Sequence, residues 1–171
     1  MEGVDINGLD FLGCTPLIWA AKMGHECTTQ LFLKLTDTNL EAKDAQMGRT
    51  ALSWAAGGGY EVIVKLLLDQ GSVDPHSRDN YGKGPLWYAA GSGSPKTVKL
   101  FLEEEGVDAG WQDNEGRTPL SYAAQSGSVE VVKLFLERKE VSAELQDNTG
   151  RTPVSYAAQW GPVEVVELFL E

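Results

Sequence analysis

One block recurs five times in this chain, and nothing else constrains its fold as strongly. It reads T-P-L-I-W-A-A-K-M-G from Thr15, T-A-L-S-W-A-A-G-G-G from Thr50 and G-P-L-W-Y-A-A-G-S-G from Gly84. It returns as T-P-L-S-Y-A-A-Q-S-G from Thr118 and T-P-V-S-Y-A-A-Q-W-G from Thr152, with starts 35, 34, 34 and 34 residues apart. Each copy is followed by a second apolar block, such as Leu66-Leu67-Leu68, Leu100-Phe101-Leu102 or Leu134-Phe135-Leu136. A period of this length marks a stack of small supersecondary units, each unable to bury its apolar face without its neighbours.

The unit reads as two helices and a turn. Thr at its head suits an N-cap, and Pro16, Pro85, Pro119 and Pro153 suit the first helical position, where no N–H is needed. The Ala-Ala pair allows close helix approach at high helix propensity. Gly24, Gly59, Gly93, Gly127 and Gly161 are expected to stop the first helix in the left-handed conformation. A second helix follows, with Pro95 and Pro162 near its first turn, and its apolar residues fall at helical spacing. Asp79-Asn80-Tyr81-Gly82, Asp113-Asn114-Glu115-Gly116 and Asp147-Asn148-Thr149-Gly150 are turns, in which Asp and Asn bond their own backbone and Gly supplies a positive φ.

With T-P-L-x-x-A-A-x-x-G, V-V-K-L-F-L around Val131–Leu136 and D-N-x-G-R-T-P at Asp113–Pro119 and Asp147–Pro153, the chain resembles the ankyrin-repeat family. The resemblance implies an all-α solenoid of about five helix-turn-helix repeats with finger-like β-turn connections. Residues 1–14 then form the tail of a preceding repeat, and repeats fall at about 15–49, 50–83, 84–117, 118–151 and a truncated 152–171. Ser-Tyr or Ser-Trp before Ala-Ala is similar to fungal arrays, and both ends read as cuts from a longer repeat or multidomain protein. Ile18, Ser53, Trp87, Ser121 and Ser155 stand where the family usually has His, so the turn-bracing hydrogen bond of that His is expected to be lost. Ala45-Gln46-Met47 carries one extra residue in its finger.

The remaining features narrow the function by exclusion. No apolar run approaches a membrane span, and the N-terminus lacks a secretory pattern. Cys14 and Cys27 cannot form a disulfide framework, which points to a reducing, cytoplasmic setting with the nucleus left open. Fourteen Lys and Arg against 25 Asp and Glu give a formal charge of −11, which argues against nucleic acid and anionic membranes as partners. Gly57-Gly58-Gly59 and Gly82-Lys83-Gly84 lack the remainder of a phosphate loop. His25, Glu26 and Cys27 are too close in sequence to converge on one metal. No catalytic residue, cofactor or metal site is therefore assigned, and the expectation is a binding protein without enzymatic activity.

The resemblance further implies that a protein partner lies across a concave surface made by the fingers and the first helices. On this chain that surface would include Arg49, Tyr81, Lys83, Glu115, Arg117 and Arg151 from the fingers, with Gln125, Gln159 and Trp160 from the helices. Arg49, Lys83, Arg117 and Arg151 recur once per repeat, forming a basic ladder at about the 10 Å width of a packed helix layer. Two readings compete for it. Each cation pairs with a finger aspartate at ~0–1 kcal/mol, or the ladder docks an acidic or extended segment. Trp19, Trp54, Tyr88, Tyr122 and Tyr156 are expected in the core from their register, whereas Trp111 is equally suited to packing or binding. A monomer is expected, with end-to-end association open to the apolar ends. The rival to an interaction module is a regulatory or sensor arm of a larger enzyme or NTPase-type protein, and a structural spacer stands third.

Overall fold

The computed structural model describes residues 4–170, so the first three residues of the expected N-terminal tail and Glu171 lie outside the described residues. Ten helices follow in five pairs. Pro16–Lys22 (α1) pairs with Glu26–Leu33 (α2), Ala51–Gly57 (α3) with Glu61–Leu68 (α4), and Pro85–Ser92 (α5) with Pro95–Glu103 (α6). Pro119–Ser126 (α7) pairs with Val129–Leu136 (α8), and Pro153–Trp160 (α9) with Val163–Glu167 (α10). The first helices α1, α3, α5, α7 and α9 pack in one row, and the second helices α2, α4, α6, α8 and α10 in another. The protein is thus an all-helical solenoid, and among the described residues no helix is long and apolar enough to cross a membrane.

The helix starts follow from the sequence. The hydroxyls of Thr15, Thr50 and Thr118 accept the N–H groups of Ile18, Ser53 and Ser121 at 3.2, 3.2 and 3.3 Å. At α9 the bond runs the other way as well, with the Thr152 N–H donating to Ser155 Oγ at 3.3 Å. In three repeats the turn brace expected to be lost with the family's His is instead rebuilt. The serine hydroxyls at 53, 121 and 155 bond the cap threonine hydroxyls at 3.3, 3.2 and 3.2 Å. Where Gly84 leaves α5 without a capping side chain, the buried Trp87 indole N–H donates to the carbonyl of Arg117 in the next finger at 3.0 Å.

Alanine sets the layer spacing. Ala55, Ala56, Ala89, Ala90, Ala123 and Ala124 are wholly buried, so the inner row meets with no side chain larger than a methyl between those turns. Phe101, Phe135, Leu67 and Ile63 fill the space between the two rows.

Four of the five expected left-handed stops are present, at Gly24, Gly59, Gly93 and Gly127. Gly161 differs, with φ −88° and ψ 165°. The cause is Pro162, whose ring pushes the preceding residue into extended backbone. α10 nevertheless begins in register, with Pro162 as its cap where α8 has Ser128, and it runs for five residues where its counterparts have eight or nine, 168–170 following as a turn.

A candidate partner-binding groove

Each finger is organised around one buried aspartate: Asp44, Asp79, Asp113 and Asp147, with Asp10 in the same role at the start. Its Oδ1 accepts the N–H two residues on, as at Tyr81 (2.8 Å), Glu115 (2.9 Å) and Thr149 (2.8 Å). The same oxygen accepts the N–H of the ladder cation, at 2.9 Å for Lys83, 2.9 Å for Arg117 and 3.0 Å for Arg151. The cation's carbonyl takes the aspartate N–H in return, at 2.9 to 3.0 Å. The basic residue is thereby locked by its backbone, and its side chain is aimed over the adjoining first helix.

What waits there corrects the sequence reading. Trp19, Trp54, Tyr88 and Tyr122 are half-buried rather than core, and Tyr156 alone of the five is buried. Their polar tips reach the other aspartate oxygen. The indoles of Trp19 and Trp54 donate to Asp10 and Asp44 at 2.8 and 3.1 Å, the Tyr122 hydroxyl to Asp113 at 2.9 Å, and those of Tyr88 and Tyr156 to Asp79 and Asp147. Tethered at the tip, each ring shows a face to the groove, and the cations cover those faces. Lys22 Nζ lies 4.9 Å from the Trp19 ring centre and 4.0 Å from that of Trp54. The Arg49 guanidinium lies 4.6 Å from Trp54 and 3.9 Å from Tyr88. Lys83 and Arg117 both approach Tyr122, at 5.0 and 4.9 Å, and Arg151 lies 5.9 Å from Tyr156. The result is a run of aromatic rings and cations across all five repeats.

The two readings of the ladder divide by residue. Arg49 Nε stands 3.8 Å from Asp79 Oδ2, and Arg117 meets Asp113 at 3.3 Å and Glu115 at 2.9 Å. Lys22, Lys83 and Arg151 have no carboxylate within 4.0 Å among the described residues. Arg151 instead donates to Gln159 Oε1 at 3.4 Å. Burial, reinforced by the neighbouring Arg117 charge, lowers the Lys83 pKa. Burial raises the carboxyls of Asp44 and Asp147, but hydrogen bonds outweigh it and hold both below the usual range. The bonds come from Met47 N–H and the Trp54 indole at Asp44, and from the Tyr156 and Thr149 hydroxyls at Asp147.

Two hollows open in this face. One of about 440 Å³ runs from the first helix pair to the fourth between Lys22, Arg49, Trp54, Tyr88 and Tyr122. The other, about 350 Å³, brings together Glu115, Arg117, Gln125, Arg151 and Trp160. The stacked pair of Tyr122 and Arg117 stands between them. Of the residues singled out from the sequence, Arg49 lines the first hollow, those five line the second, and Gln159 touches it through Arg151. Tyr81 projects from its finger 46% exposed, with Lys83 Nζ 5.3 Å from its ring. Trp111 lies on the rim of a separate loop base, stacked under Arg78 at 4.5 Å.

A family model for ankyrin repeats matches the sequence in three copies, over residues 1–79, 28–109 and 86–171. The chain belongs to the ankyrin-repeat family. Transient receptor potential cation channel subfamily A member 1 of Homo sapiens is 42% identical to it over 69 residues, or 37% of this chain and 6% of that protein. The ankyrin chain therefore spans a small part of the length of this curated relative. The aromatic tethers of this ankyrin array escaped the sequence reading, although a signal for them exists. An aspartate recurs nine residues before the tryptophan or tyrosine in four repeats, and ten before it in the repeat with the longer finger.

Proposed function

We propose that this ankyrin domain is a protein–protein interaction module that holds its partner along the finger and inner-helix groove. The observation that carries this reading is the run of finger cations fixed by their own backbones, two of them, Lys83 and Arg151, without a carboxylate partner among the described residues. A surface so fixed before contact loses little conformational freedom on binding, and arginine forks suit carboxylates. An acidic or extended protein segment is the matching partner. A reducing, cytoplasmic setting fits the free thiols of buried Cys14 and exposed Cys27.

The test is capture from a cell lysate by the domain and by a variant carrying Arg49→Ala, Lys83→Ala, Arg117→Ala and Arg151→Ala, with circular dichroism to establish that the variant folds. A protein retained by the parent and lost by the folded variant supports the groove as the binding surface. Equal recovery by both assigns the ladder to structure. Trp160→Ala, at a side chain 60% exposed, provides a second variant with little bearing on folding.

A second reading, a regulatory arm contacting other parts of a larger protein, draws support from the human channel, of which this chain matches 6%. Capture of a segment from the same polypeptide would favour it.

A further inference from the structure

The 440 Å³ hollow exists because of glycine. At the two groove positions after Ala-Ala, repeats two and three carry Gly57-Gly58 and Gly91-Ser92, where the others carry Lys22-Met23, Gln125-Ser126 and Gln159-Trp160. Packing does not require two of these glycines. A Cβ on Gly57 would stand 3.6 Å from the nearest atom, on Tyr88, and one on Gly91 would stand 3.9 Å from Tyr122, both ordinary contacts. Neither has a positive φ. Glycine in a helix lowers its stability relative to alanine, so at these places the helices are weakened and an open floor is what results.

The walls of the hollow are apolar and its rim is cationic. Met23, Trp54, Trp87 and Tyr88 line it, and Lys22 and Arg49 both lie over the Trp54 ring, at 4.0 and 4.6 Å from its centre. The rim has unmet demand for an acceptor. Arg49 Nε is buried with no hydrogen-bond partner among the described residues, and Lys22 has no carboxylate within 4.0 Å there. The nearest carboxylate, Asp79, is already shared among the N–H groups of Tyr81 and Lys83 and the Tyr88 hydroxyl. A volume of this size lies at the lower end of ligand-holding clefts and suits one large side chain with its backbone.

We propose that this glycine-floored hollow seats a large apolar side chain of an extended acidic peptide segment, with carboxylates on either side of that side chain meeting Lys22 and Arg49. The proposal rests on the reading of the groove as a partner surface and deepens it. Charge complementarity selects the occupant: in a chain of net charge −11, the cations gathered on this rim are where an acidic segment is drawn in.

Fluorescence anisotropy with three labelled peptides tests it: Asp-Glu-Leu-Glu-Asp, Asp-Glu-Gly-Glu-Asp and Lys-Lys-Leu-Lys-Lys. The first should bind, with affinity falling as salt rises, and the other two should bind at least about tenfold more weakly. Gly57→Leu and Gly91→Leu fill the floor and favour the helix, so each should lose about tenfold or more in affinity for the first peptide at an unchanged or raised melting temperature. Lys22→Gln should weaken binding without affecting the preference for Leu over Gly. Equal affinity for the Leu and Gly peptides, or glycine variants that bind as the parent does, overturns the proposal. Loss of a lysate partner by the four-cation variant, with no response to Gly57→Leu or Gly91→Leu, also overturns it and leaves the wider reading of the groove standing.

Discussion

A buried aspartate that accepts backbone N–H groups with one oxygen and an aromatic tip with the other joins finger to helix in every repeat. At Asp44 and Asp147 its ionisation is therefore built into the fold, and so is the neutrality of the tyrosine phenols. Burial, followed by the adjacent aspartates, raises the pKa of Tyr88, Tyr122 and Tyr156. Asp44 and Asp147 are lowered, so their contribution is present at neutral pH and is lost as pH falls below about 3.9, the value for an unfolded aspartate. The tyrosines run the opposite way, contributing below about pH 10 and losing that contribution as pH rises past it. The urea midpoint should thus be flat across neutral pH and fall at both extremes, and tyrosine ionisation read by ultraviolet absorbance should coincide with loss of helical circular dichroism. Asp147→Asn should flatten the acid limb while lowering the plateau. A second residue stands out by what it lacks. Thr29 occupies the place of Val64, Val98 and Val132, is fully buried, and its hydroxyl has no partner among the described residues. Thr29→Val should raise stability by about 1–2 kcal/mol, read as a higher urea midpoint, and a lower midpoint would mean the hydroxyl is satisfied in solution. The turn role of the aspartates was legible from their type and place. The aromatic tethers were not, because the same register that marks an inward position leaves open whether a ring's polar tip is sealed or shared.

The fingers are joined to one another by few contacts. Asn80, Asn114 and Asn148 donate their N–H groups to Met47, Tyr81 and Glu115 at 2.9 to 3.0 Å, and their side-chain amides reach the preceding finger at 3.1 to 3.4 Å. The extra residue near Gln46 is absorbed without breaking this series, because its turn closes from Gly48 N–H to Asp44 one residue wider than the others. Glycine in the finger is needed both for its positive φ and for the space taken by the next asparagine. A Cβ on Gly82 would fall 2.3 Å from Asn114 Oδ1, whereas one on Gly150 meets nothing within 4 Å. Both alanine variants carry a left-handed backbone cost of about 1–2 kcal/mol. Gly82→Ala should lose about 1 kcal/mol more, through the Asn114 bond to Asn80. Equal losses in denaturant unfolding would show that the asparagine rung contributes nothing. Helix starts could be read directly from Thr-Pro. The end of α9 could not, because a rule learned from four glycines gave way at Gly161 to the proline beside it.

Across the whole molecule, stability should follow neighbours. α4, α6 and α8 each bury three side chains, while α2 buries only Thr29 and α10 only Val165. Amide exchange should accordingly be slowest from α3 to α8 and fastest in α2 and α10; protection of α10 equal to that of α6 would contradict a nearest-neighbour account. The repeat architecture was legible because five copies in register leave one way to bury the alanine pairs. The groove was legible as a set of positions, but its division into two hollows was not, since that depends on which rings the cations cover. Three of the five tryptophans line these hollows at graded depths, Trp54 and Trp87 (4% exposed) in the wall of the first and Trp160 (60% exposed) beside the second. The domain therefore carries intrinsic fluorophores at both hollows, and quenching or a colour shift of indole emission can follow the filling of either one without a dye.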